Sequence, residues 1–382
     1  MATARTYLDF NATAPLRAEA AEAMTRAFHL TGNASSVHAE GRKARAVVEE
    51  ARRVIAGALG VSAEGVIFTG SGTEANSLAI AQAEALGASA ILYGAGEHAC
   101  VMAATETSSL PKFKLPLQSD GVIDGAAFDR ALEEAGEKPF VALQHANNET
   151  GVLQPLAEIA EKTRSAGGIL ASDLVQSFGK APFAANELGA KMLAISAHKI
   201  GGPKGIGALI LTEDMPIRAL IPGGGQERRR RGGTENVAGI AGFAAAVEAA
   251  QKNFEKLDAQ RAIRDAFEAK LKTLVPDVTV FGEGAPRLAN TSCFAAPGAG
   301  AETLLMKLDL AGFAVSSGAA CSSGKVALSH VLEAMGVPDD LSRAALRMSI
   351  GAETELEDVL AFAQAWVDAV CSQSGVKTAL AG

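Results

Sequence analysis

Two residues sit in settings that invite chemistry. Lys199 ends Ser196-Ala197-His198-Lys199, after a strand-like run (Met192–Ser196), and leads into Gly201-Gly202-Pro203-Lys204-Gly205. A lysine beside a glycine-rich turn can reach into a cleft. Once partly desolvated, its amine loses protons more readily and can form a Schiff base. Taken alone, the same pattern also describes a surface lysine after a strand. Cys321 lies in Ser316-Ser317-Gly318-Ala319-Ala320-Cys321-Ser322-Ser323-Gly324. A packing cysteine usually has bulky apolar neighbours. Small, flexible neighbours describe a loop-borne, exposed thiol, which reactive chemistry requires, or an incidental loop cysteine. Cys100, Cys293 and Cys371 are widely spaced, with no C-x-x-C pair and no Cys/His cluster at metal spacing. Two or three of the four cysteines read as small buried hydrophobes, and no intrinsic metal site is expected.

Other segments offer weaker signals. Gly70-Ser71-Gly72-Thr73-Glu74 follows an apolar run and opens a helix. Helix-start N–H groups favour an anion such as phosphate, although Ser71 or Thr73 could simply cap the helix. Asp173 ends the run Gly168–Ser172, with Gln176 three residues on. A buried carboxylate there needs a cationic or donor partner, or else serves as a helix cap. His145-Ala146-Asn147-Asn148-Glu149-Thr150-Gly151 and His98 also follow strand-like runs; a lone histidine is as readily structural. Arg228 to Arg231 lie between Gly223-Gly224-Gly225 and Gly232-Gly233-Thr234. Without interleaved aromatics they read as a solvated or interface loop rather than a nucleic-acid surface.

These residues must be positioned by regular elements. Strand-like runs at Val66–Thr69, Ala90–Tyr93, Phe140–Gln144, Ile169–Ser172, Met192–Ser196 and Gly207–Leu211 alternate with helical stretches at Arg42–Leu59, Thr73–Leu86, Phe128–Ala135, Leu156–Ala166 and Asn236–Lys256. The alternation predicts an α/β fold with a mainly parallel sheet covered on both faces. Ligands of such sheets bind beyond the carboxyl ends of the strands, where the polar residues above fall. After Lys256 the pattern changes to a charged helix, strands near Val278–Phe281 and Ser292–Phe294, and helices at Glu302–Leu310, Leu328–Met335 and Glu355–Val370. The expected division is a large domain over residues 15–256 and a smaller α+β domain from residues 1–14 and 257–382, carrying the Cys321 loop. Residues 372–382 read as a short tail.

Composition bounds the function. Apolar residues make up 48% and charged residues 20%, and 35 basic against 43 acidic residues give a net charge of −8. This balance argues against a general nucleic-acid or anionic-membrane binder. The first fifteen residues carry no apolar signal segment, and no apolar run is long enough to span a bilayer. A cytoplasmic location is therefore expected.

From Tyr7-Leu8-Asp9 to about Asp358 the chain resembles the class V aminotransferase-type enzymes that use pyridoxal phosphate (PLP), and within them the NifS/IscS-like cysteine desulfurases. The matching runs are Gly32-Asn33-Ala34-Ser35-Ser36-Val37-His38, residues 70–76, Asn147–Gly151, Ser196–Gly205 and Ser316–Cys321. The resemblance implies the aspartate aminotransferase-like fold, type I among PLP-dependent transferases. It implies that Lys199 carries PLP and that Asp173 pairs with the pyridinium nitrogen. Asn148 and Gln176 would bond the phenolic oxygen, and Gly72, Thr73, Ser196 and His198 the phosphate. Thr234 would reach the neighbouring site of a homodimer. His98 would stack on the ring and move protons, and Arg347, assisted by Asn33, would bind the substrate carboxylate. L-Cysteine would yield alanine and a persulfide on Cys321, for a sulfur-acceptor protein such as an iron–sulfur scaffold; Cys321 would at most ligate a cluster transiently. Ala171-Ser172-Asp173-Leu174-Val175 departs from the family's usual His-Val-Asp-Ala but keeps Asp and Gln. Few residues follow Val370, where housekeeping members carry a longer tail, which leaves the acceptor open. Selenocysteine lysis, another class V reaction, and a non-catalytic sulfur relay are the competing readings.

Overall fold

The computed structural model describes residues 5–317, 321–322, 325–326 and 328–374; for 321–322, 325–326 and 374 only the backbone is described. Among the described residues the centre is a seven-stranded sheet. Its order is Val66–Thr69, Gly207–Leu211, Met192–Ser196, Ile169–Asp173, Phe140–Ala142, Ile91–Gly94 and Lys112–Leu115. Gly207–Leu211 runs antiparallel to both neighbours and the remaining pairs are parallel. Every residue of Met192–Ser196 and of Gly207–Leu211 is buried, as a strand covered on both faces requires.

The strand's two-residue period divides the packing. Leu193 and Ile195 join Phe68, Leu92 and Val141 in one core, with residues of helices Ala39–Leu59 and Val237–Lys252. Met192 and Ala194 join Ile67, Ile91 and Phe140 in another, beside helix Gly72–Ile80. Each large apolar side chain fully buried this way contributes about 1.5–3 kcal/mol. Helix Ala39–Leu59 buries Ala44, Val48, Ala51, Ile55 and Leu59, the three-to-four spacing of one helical face. It starts where His38 accepts the Gly41 N–H and stops at Gly60, whose φ of 69° suits glycine.

The later residues build a separate three-stranded antiparallel sheet, Leu346–Ser349, Thr291–Ala295 and Thr279–Val280. Its core gathers Phe267, Phe294, Phe362 and Trp366, and takes in Leu8 from the start of the chain. Thr6–Tyr7 pairs in parallel with Phe313–Ala314. We propose that this grouping is the smaller domain expected from residues 1–14 and 257–382.

Two expectations need correction. The single helix expected over Thr73–Leu86 is two, Gly72–Ile80 and Gln82–Ala85. The buried Gln82 side chain donates to the Leu78 carbonyl at 2.8 Å, the acceptor a continuous helix would give to Gln82's own N–H. Phe140–Gln144 is a strand only to Ala142; the Gln144 amide leaves for the Glu97 carboxylate (2.8 Å). Among the described residues no helix is long and apolar enough to cross a membrane.

Candidate active site

The carboxyl ends of the parallel strands open into a cavity of about 740 Å³. Thr69 leads to Gly72 and Thr73, Gly94 to His98, Ala142 to Asn148, Asp173 to Gln176, and Ser196 to His198 and Lys199. From the later part of the chain come Ser316, Ser317, Leu328, His330 and Arg347. One chain thus brings together Lys199, His98, Gly72, Thr73, Asn148, Asp173, Gln176, Ser196, His198 and Arg347.

Lys199 closes a short 3₁₀ turn, Ala197–Lys199. Its Nζ donates to the carbonyls of Asn11 (2.6 Å) and Ala12 (3.0 Å) and, among the described residues, faces no carboxylate at ion-pair distance. Burial and the Arg347 charge pull its pKa down to about 8, so about a tenth of the amine is neutral at pH 7, far more than for a free lysine. Asp173 accepts from Asn76 Nδ2 and from the Val175 N–H, both at 2.8 Å. Burial pushes its pKa up, and no ion pair offsets this among the described residues. A Cβ at Gly72 would stand 2.8 Å from Val175 Cγ2 and 3.2 Å from Ser196 Cβ, so a side chain there would force a neighbour to shift. Ser71 caps the helix that follows by accepting the Glu74 N–H at 3.1 Å. His198 is pulled down to about 4 by burial and nearby lysines.

Arg347 is only partly engaged. Nη2 donates to Asp9 at 2.6 Å and Nη1 to the Asn148 carbonyl at 2.9 Å, while the buried Nε has no partner. Glu149 also lines the cavity. It accepts from Ser329 Oγ at 2.5 Å, and burial pushes its pKa up to about 7.

Two expected residues lie elsewhere, and a third is described only by its backbone. Asn33 is exposed and caps its own turn, accepting from the Ser35 N–H at 2.8 Å. Thr234 lines a separate cavity of about 110 Å³ with Glu227 and Arg231. Cys321–Ser322 pairs with Lys325–Val326 as a short hairpin, and the Cys321 side chain lies outside the described residues.

Sequence reasoning missed Asn11, the hub of the floor. Its carbonyl accepts from Lys199 and from Gln176 Nε2 (3.0 Å), and its Oδ1 from Lys180 (2.9 Å). The order Asp9-Phe10-Asn11-Ala12-Thr13 follows no long apolar run, so nothing local marked it. Lys180 was also missed; its Nζ donates to Gln176 Oε1 at 2.8 Å and fixes that amide's orientation.

The class V aminotransferase family model matches residues 6–362. The chain belongs to that family. It is 38% identical, over 92% of its length and 91% of the relative's, to a cysteine desulfurase IscS of Dictyoglomus turgidum. It is 36% identical, over 98% and 99%, to an IscS-like cysteine desulfurase of Mycobacterium tuberculosis. A NifS-like protein of Rickettsia africae superposes with a TM-score of 0.88 at 32% identity, covering 96% of this chain and 99% of that one. The expected fold is therefore present. Enzymes of this family depend on PLP, and the site suits that group. A depressed amine, a buried carboxylate with no cation, and glycine-bounded helix amides match its aldehyde, its pyridine nitrogen and its phosphate.

Proposed function

We propose that this protein is a cysteine desulfurase that converts L-cysteine to L-alanine and leaves the sulfur as a persulfide on Cys321. The observation that carries the reading is the Lys199 amine, depressed to about 8, in the same cavity as the buried Asp173 carboxylate, which makes no ion pair among the described residues. Relatives bearing that name at 36–39% identity over most of the chain support it.

When bound, PLP supplies an electron sink for the charge left on the substrate's Cα. Asp173 would favour that sink by keeping the ring nitrogen protonated. Gly72, Thr73, Ser196 and His198 would hold the phosphate, with Thr234 contributed by a second copy, and Asn148 and Gln176 would bond the phenolic oxygen. Lys199 removes the Cα proton. Arg347 takes the substrate carboxylate, with Asn33 assisting, which requires the guanidinium to share or exchange its Asp9 contact. His98 moves protons above the ring. The thiolate of Cys321 then attacks the substrate sulfur: an S–S bond forms, the Cβ–S bond breaks, and Cβ takes up a proton to give alanine. Ser316 and Ser317 line the cavity just before this residue, so the loop starts at the reaction site.

A cytoplasmic homodimer passing sulfur to an acceptor such as an iron–sulfur scaffold completes the reading. Cys321→Ser tests it: persulfide labelling after L-cysteine should vanish and alanine release should fall at least a hundredfold. Undiminished alanine release would overturn the role given to Cys321.

A further inference from the structure

We infer that Cys100 is a positioning residue: with its own backbone amide, its thiol holds His98 as a neutral imidazole protonated on Nε2. His98 then meets substrate as a hydrogen-bond donor rather than as an imidazolium. The inference rests on the reading of His98 as the histidine above the ring.

The geometry comes first. His98 caps helix Ala99–Glu106, and its Nδ1 accepts the Cys100 N–H at 3.2 Å. A ring nitrogen that accepts an N–H carries no proton, so the neutral ring's proton sits on Nε2. Cys100 Sγ lies 3.0 Å from the same Nδ1. Facing an unprotonated nitrogen, that sulfur must be the donor and must keep its hydrogen. Burial, reinforced by the Asp173 charge, pushes the thiol up to about 11, so it keeps it at any working pH.

The thiol is itself held in place. Asn76 Nδ2 stands 3.7 Å from Sγ and donates to Asp173 Oδ2 at 2.8 Å. An unbroken contact chain therefore runs from Asp173 through Asn76 and Cys100 to His98. A proton on Nδ1 would break both the helix cap and the thiol contact. It would also place a cation at a helix N-terminus, where the backbone dipole opposes it. Of the charged groups facing the ring, Asp173 favours the imidazolium, while Lys199 and His330 oppose it. Glu97, the preceding residue, is buried and pushed far toward its neutral acid form. Partial burial of the ring is the largest influence and acts against the imidazolium, in the same direction as Lys199 and His330. Holding a histidine neutral at a helix N-terminus so that it can polarise a substrate is established enzyme chemistry.

The test is ¹⁵N NMR of histidine-labelled holoenzyme, with the His98 signal identified by its loss in His98→Gln. The wild-type ring should show the Nε2–H pattern from about pH 6 to about pH 8. Cys100→Ala removes one donor to Nδ1, and the His98 pKa should rise by about half a unit or more, a threefold gain in imidazolium at a given pH. Cys100→Ser, which restores a donor, should titrate close to wild type. Retained PLP absorption checks that each variant folds. An Nδ1–H or imidazolium His98 in the wild type at pH 7 overturns the inference, as does Cys100→Ala titrating like wild type. Alanine release from L-cysteine is measured separately. If release is absent while His98 carries Nε2–H, the desulfurase reading fails and the positioning role stands.

Discussion

Two buried charge clusters in this molecule are built on opposite principles. Arg52 and Glu227 form a closed pair, with Nη1 to Oε2 and Nη2 to Oε1, both at 2.8 Å. The remaining capacity is used as well: Arg52 donates to the Val66 carbonyl (2.7 Å) and lies over the Phe68 ring, while Glu227 accepts the Phe68 N–H. This pair pins the arginine-rich turn, where Glu227, Arg228 and Arg229 all adopt positive φ. Around Lys199 the bookkeeping is left open. Among the described residues Arg347 has an idle Nε, Asp173 makes no ion pair, and Lys199 leans on two carbonyls. A satisfied cluster holds a shape, whereas an unsatisfied one holds capacity for something not yet bound.

Substitutions in the two clusters should therefore separate activity from stability. Lys199→Ala should abolish the absorption near about 400 nm from bound PLP and lower turnover by about a thousandfold or more. Its thermal midpoint should stay near wild type, and a large fall would erase the contrast. Arg52→Ala should show the reverse, losing about 3–5 kcal/mol in urea unfolding because Glu227 is left buried and uncompensated. Pairing Arg52→Met with Glu227→Leu should recover most of that loss.

Glu149 sharpens the contrast through pH. Its pKa is raised from 4.5 unfolded to about 7 folded, so the folded state binds more protons between those values. Its contribution is fully present below pH 4.5 and lost as pH rises through 7. Glu149→Gln should then gain stability relative to wild type across that window, by on the order of 3 kcal/mol, and no more above it. His145 and His198, both pulled down to about 4, act with the opposite sign, so the variant-minus-wild-type difference is the quantity to follow. The smallest expected effect is that of Arg347→Lys. It keeps the charge but loses the fork, and KM for L-cysteine should rise about tenfold with kcat less affected.

Much of this was legible in the chain itself. Met192–Ser196 and Gly207–Leu211 are fully buried strands and so appear as unbroken apolar runs. Lys112–Leu115 escaped notice because it is the sheet's edge, where Lys112 and Lys114 face solvent and interrupt the apolar pattern. Lys199, Asp173 and His98 stood out because polar residues that end strands fall where this architecture binds ligands. Asn11 did not, since its partners are up to 338 residues away and its neighbours show no periodicity. Cys100 read as a packing residue, and its partners, the His98 ring turned onto its own helix start and the Asn76 amide, meet it only in the fold. Asn33 and Thr234 matched motifs, yet motif order says nothing about which copy of the chain a residue serves.

Asn11 also bears on how the protein is made. Its amide is fixed by Ser349 Oγ, its side chain by Thr291, and the Leu8 carbonyl accepts the Ser349 N–H. A ribosome releases residue 11 long before residue 349 exists. The large sheet can condense while the chain is still growing, and Gln176 and Lys180 can already engage Asn11, but the Asn11 amide lacks its Ser349 anchor until residue 349 is made. The lysine pocket is therefore finished last, and a nascent chain stalled before residue 349 would have its reactive amine over a floor still missing that anchor.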